Sequence, residues 1–146
     1  ARQVTNPYHL HMSMHPKLPW AGGSLLLFLA AGLSAWRSHG LLEILSAESL
    51  ARFDSALEQQ IMGAAGILCC GILGTVVKSN WIARGAWFFG LGVALFCGDV
   101  YLRAFHGQAA LQTAPLGGLF LIMGWGAVAW AALAGKWSRH PDSNWG

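Results

Sequence analysis

Charge is what this sequence has least of: Asp, Glu, Lys and Arg make up 10% of its 146 residues, six acidic and nine basic. Water-soluble domains normally carry about a quarter charged residues, so a soluble fold of this size is excluded. The formal net charge of +3 is juxtamembrane bias, and no nucleic-acid partner is expected. Cysteine is scarce too. Cys69, Cys70 and Cys97 lie inside apolar sequence, which excludes a disulfide framework and reads as packing thiols. Adjacent Cys69 and Cys70 point to different helix faces, so they make no two-thiol clamp. Catalytic signatures are also missing: there is no glycine-rich phosphate loop after a strand, no Ser/His/Asp order on a strand scaffold and no His-Glu-x-x-His. Neither an enzyme nor a cofactor is expected.

What the chain has is hydrocarbon. Hydrophobic residues make up 55%, with 19 Gly and 8 Trp, and they fall into four blocks: Trp20 to Trp36, Ile61 to Val77, Trp81 to Tyr101 and Ala114 to Ala134. Each is long enough to cross roughly 30 Å of hydrocarbon at about 1.5 Å per residue. A backbone in lipid must satisfy its own hydrogen bonds, so these blocks are helices. The fold class is therefore all-α, a bundle of four transmembrane helices over 20–135, with polar tails at 1–19 and 136–146. The first block is preceded by a polar stretch and followed by Arg37 rather than a small-residue cleavage site, so it reads as a helix and not as a signal peptide.

Arg2, Lys17, Lys78, Arg84, Lys136 and Arg139 share the side of both termini, against Arg37, Arg52 and Arg103 on the other. That asymmetry points both termini to the cytoplasm, or to the matrix in a mitochondrial inner membrane. Trp20, Trp36, Trp81 and Trp137 stand at block ends, where an indole keeps its N–H wet and its ring in the interface.

In the first loop Ser46 suits a helix cap, and Leu50, Phe53, Leu57 and Ile61 recur at helical spacing with Glu48, Arg52, Asp54 and Glu58 turned elsewhere. An amphipathic helix on the outer membrane surface is expected there, running into the second span. A lid over a pocket is the functional alternative to a plain connector. Helix contacts in lipid favour small residues. The stripe Ala86, Gly90, Ala94 and Gly98 is expected to cross Gly66, Cys70 and Gly74, while Gly117, Gly118, Gly124 and Gly126 leave thin spots on the fourth helix. Thr113 and Pro115 suit its start.

Two groups of residues hint at chemistry. Asp99, Arg103 and His106 share one face of the third helix, and ionisable groups in a span raise the question of a proton relay or an anion site. His39 and Gln60 are further intramembrane polar candidates. At the N-terminus His9, His11, Met12, Met14 and His15 form the one metal-like cluster. Imidazole with thioether suits copper, although nothing in the spacing fixes a site, and a polar tail is the plain reading.

The ordered set Ser38-His39-Gly40-Leu41, Leu45-Ser46-Ala47-Glu48 to Phe53, Phe96-Cys97-Gly98-Asp99-Val100-Tyr101, Pro115-Leu116-Gly117-Gly118 and Gly124-Trp125 resembles the domain-of-unknown-function 423 family, which includes the transmembrane protein 256 group. The resemblance covers about residues 20 to 135. It implies a small four-helix protein of bacterial inner membranes or mitochondria and brings no reaction with it. The chain departs from the family at Gly63, where a His is expected, and at Asp99 and Arg103, where Ser and Leu are common.

Two functions from different classes remain. One is a non-catalytic accessory subunit docked to other integral-membrane subunits and to lipid, with bound lipid expected. The other is a small transporter or channel component, a homo-oligomer using Asp99, Arg103, His106, His39 and Gln60 as a polar route. Convergence of those side chains inside the bundle separates the two.

Overall fold

The computed structural model describes residues 17–107 and 111–137. Four helices run in sequence: α1 (Lys17–His39), α2 (Ala47–Val76), α3 (Asn80–His106) and α4 (Ala114–Ala134). Each is long and apolar enough to cross a membrane. α1 packs on α2, α2 on α3 and α3 on α4. Neighbours are antiparallel, since Gly23 meets Ala64 near one end while Arg37 meets Asp54 near the other. One end of the bundle, here the terminal end, carries Lys17 and the α2–α3 turn. The distal end carries the other two loops.

Large side chains on the outer faces are bare: Phe28 is 73% exposed, Ile122 70% and Leu133 86%. Water would penalise such a surface heavily, whereas lipid tails do not. The protein is an integral-membrane, all-α four-helix bundle.

Local chemistry sets the helix ends. Ser46 caps α2, its Oγ accepting from the Ser49 N–H at 3.2 Å, and Ser79 caps α3 by accepting from the Trp81 N–H at 3.3 Å. α3 ends at Gly107, whose φ of 73° is the left-handed conformation glycine takes most readily. At the terminal end, two-residue strands β1 (Val77–Lys78) and β2 (Lys136–Trp137) pair antiparallel, clasping the α2–α3 turn to the end of α4.

The amphipathic segment after Ser46 does run into the second span, but its apolar face turns into the bundle and not to the membrane surface. It is the first half of α2, continuous through 30 residues, because its apolar face has a partner inside the bundle. Phe53 is fully buried with Leu41, from the short 3-10 turn Leu41–Glu43, and with Ala104 of α3. The expected stripe also shifts. Ile61 is 43% exposed, and Gln60, 4% exposed, takes the inward position instead.

Helix contacts correct the expected small-residue pattern. A Cβ on Gly66 would come within 2.5 Å of the Phe89 ring, and one on Gly124 within 2.8 Å, so Phe89 of α3 sits between glycines of α2 and α4. Cys70 is buried beside Gly85, and Ala86 is buried too. The rest of the stripe does not face α2: a Cβ on Gly90 or Gly98 would meet nothing within 4 Å, and Ala94 is exposed. The face α3 turns inward runs through Ile82, Gly85, Phe89, Gly92, Val93 and Cys97, rotated from the small-residue stripe because the bulky Phe89 and Val93 seek the glycines opposite. Gly90 instead lines a groove of about 470 Å³ with Leu25, Ile67 and Trp87. Gly74 touches α3 only loosely, with Ile82 at 3.7 Å from a Cβ there. On α4, Gly117 lies against the Phe96 backbone, but Gly118 and Gly126 have open space or a distant neighbour.

Candidate functional site

Asp99 is fully buried, and its carboxylate accepts four hydrogen bonds. Oδ1 takes Arg103 Nε at 3.1 Å and the Leu111 N–H at 3.3 Å; Oδ2 takes Arg103 Nη2 at 2.7 Å and the Ala114 N–H at 3.0 Å. The i,i+4 spacing on α3 brings Arg103 within reach. The two backbone donors belong to the approach and first residue of α4, where free N–H groups and the helix dipole favour an anion. Thr113, expected to cap α4, makes no cap bond. Its hydroxyl donates instead to the Leu95 carbonyl at 3.0 Å. The α3–α4 corner is thus pinned twice, and Asp99 caps a helix to which it does not belong.

Gln60 forms the second polar node. Its Nε2 donates to the Leu26 carbonyl at 2.9 Å and its Oε1 accepts from the Tyr101 hydroxyl at 3.0 Å, linking α1, α2 and α3. Cys97 donates its S–H to the Ala56 carbonyl at 3.2 Å. No buried side-chain nitrogen or oxygen among the described residues lacks a partner.

The five intramembrane candidates therefore do not converge. Asp99 and Arg103 form one unit and Gln60 another. His39 and His106 are exposed. A Cβ on Gly63 would strike Val93, so the packed interface there has no room for the His that the resemblance leads one to expect. Cys69 is exposed and Cys70 buried, both as free thiols. The N-terminal His and Met residues lie outside the described residues, among which no group of three metal-ligating His, Cys, Asp or Glu side chains occurs.

One unit escaped the sequence. Arg37 grips Asp54 with both prongs, Nε to Oδ1 at 2.8 Å and Nη2 to Oδ2 at 2.6 Å, bracing the distal ends of α1 and α2. Its signal was geometric: folding α1 back on α2 brings together two residues that look unrelated along the chain.

Residues 33–118 match the family described as protein of unknown function DUF423. A UPF0382 membrane protein of Haemophilus influenzae is 29% identical over 113 residues, 75% of this chain and 88% of that protein. Another from Staphylococcus saprophyticus is 31% identical over 70% of this chain and 86% of its own length. The Bacillus subtilis UPF0382 membrane protein YwdK is 25% identical over 76% of this chain and 92% of its own length. No solved structure matches significantly.

Proposed function

The chain belongs to the DUF423 family of small membrane proteins, and we propose that it acts as a non-catalytic accessory subunit of a larger integral-membrane complex, with no cofactor of its own. The observation that carries this reading is the commitment of its intramembrane polar groups to its own helices. Asp99 holds α4 and Arg103, and Gln60 holds α1 and α3. A conduction path or a reaction centre needs polar groups free to exchange partners. What the bundle offers outward is mostly apolar helix surface, suited to neighbouring spans and lipid.

The Lys and Arg distribution supports both termini on the cytoplasmic or matrix side, and bacterial relatives favour a bacterial cytoplasmic membrane over a mitochondrial one. Liposomes carrying the purified protein test the reading against its transporter rival. Proton or ion leak no greater than in empty liposomes is expected. A flux that Asp99→Asn abolishes in a still-helical protein would overturn it.

A further inference from the structure

Four arginines lie within the described residues, and three are paired with carboxylates: Arg37 with Asp54, Arg52 with Glu48 and Arg103 with Asp99. Arg84 is the fourth. Its guanidinium carbon lies 4.7 Å from the Trp81 ring centroid, and none of the ion pairs among the described residues includes it. Every described Asp and Glu (Glu43, Glu48, Asp54, Glu58, Asp99) lies in the distal half of the bundle, whereas Lys17, Lys78 and Arg84 occupy the terminal half. Arg84 stands four residues into α3, about 6 Å along the axis from the helix start. In a span that begins at the interface, this is the level where hydrocarbon gives way to phosphate.

Arg84 also borders a groove of about 650 Å³ between α3 and α4, walled by Trp81, Phe88, Met123 and Trp130. Gly126 lies along it, and a Cβ there would meet nothing within 4 Å. A cation at the mouth and an apolar trough running toward the membrane centre match the two halves of one ligand.

We propose that this groove is an anionic phospholipid site, with Arg84 holding the headgroup phosphate and an acyl chain lying across Gly126 between Phe88, Met123 and Trp130. The guanidinium offers a planar fork to phosphate oxygens while its back face rests on the Trp81 indole. Zwitterionic lipids carry the same phosphate beneath a cation, which a lone arginine favours less. The site does not depend on the subunit reading above.

Native mass spectrometry of the full chain in mild detergent, titrated with phosphatidylglycerol or phosphatidylcholine of identical chains, tests the assignment. The wild type is expected to bind phosphatidylglycerol about fivefold more tightly, the effect of one cation near the surface. Arg84→Gln should erase that preference, and Lys78→Gln, which removes a cation outside the groove, should keep it. Gly126→Leu fills open space and should weaken retention of both lipids, testing the acyl half separately. The proposal fails if the wild type shows no preference, if Arg84→Gln retains it, or if Lys78→Gln lowers it equally. It fails too if Gly126→Leu changes nothing, or if inorganic phosphate alone displaces the lipid.

Discussion

The Asp99 carboxylate accepts the Ala114 N–H at 3.0 Å, so a charge on one transmembrane helix closes the first turn of the next. That bond, with those to Leu111 and Arg103, gives Asp99 two tasks: pairing an arginine and capping α4. Asp99→Asn should therefore cost more than Arg103→Gln, about 3 kcal/mol, because it weakens the cap as well as leaving Arg103 without its counter-ion. The double variant should be no worse than Asp99→Asn alone, since the pair is already broken. Thermal unfolding of all three in detergent measures this; additive losses would argue against the pair.

Phe89, between Gly66 and Gly124, gives a second prediction. Gly66→Ala and Gly124→Ala each place a methyl against its ring, with an expected loss of about 1–3 kcal/mol from overpacking. Adding Phe89→Leu should recover part of the loss by making room. Gly90→Ala, by contrast, should be neutral or slightly stabilising, because its Cβ meets open space and alanine is the better helix former. Unfolding midpoints of the single and double variants give the comparison, and an equal loss at Gly90 would contradict the helix faces described.

Gln60 and Tyr101 should behave as a coupled pair. Gln60→Leu strands the Tyr101 hydroxyl and Tyr101→Phe strands Gln60 Oε1, each at about 1–2 kcal/mol, whereas removing both polar groups should cost less than the sum. A double-mutant cycle on unfolding free energy reads the coupling directly, and a coupling near zero would contradict the hydrogen bond.

The Arg37–Asp54 bridge provides a contrast, being 31% and 38% exposed on its two side chains. Despite its two-pronged geometry, Arg37→Gln should cost no more than about 1 kcal/mol. The loss should shrink as salt is raised, while the Asp99→Asn loss should not. Unfolding at low and high salt separates the two.

Orientation has its own test. A Cys placed at the exposed Ala47 should react with an impermeant maleimide from outside intact cells, and a Cys replacing Lys78 should not. The reverse pattern would invert the topology.

The four spans were legible because block length and lipid's ban on unpaired backbone leave few alternatives. The cap at Ser46 was equally legible, being a local event. Helix faces were harder. The stripe Gly90–Ala94–Gly98 looks like a contact surface, yet the interface follows Phe89 and Val93, whose bulk needs glycine opposite rather than alongside. The burial of the first half of α2 also escaped the sequence, because an amphipathic face reads the same whether it meets headgroups or a buried partner such as Leu41 and Ala104. Asp99, Arg103 and Gln60 could be picked out by type. Their partners could not, since the Ala114 N–H and the Leu26 carbonyl carry no side-chain signature.

Isolation of the tagged protein from native membranes in mild detergent, with identification of what comigrates, tests the central claim most directly. The account predicts one or more other integral-membrane proteins at a constant ratio to this chain through two successive separations. A chain that emerges alone, or only with copies of itself, would contradict it.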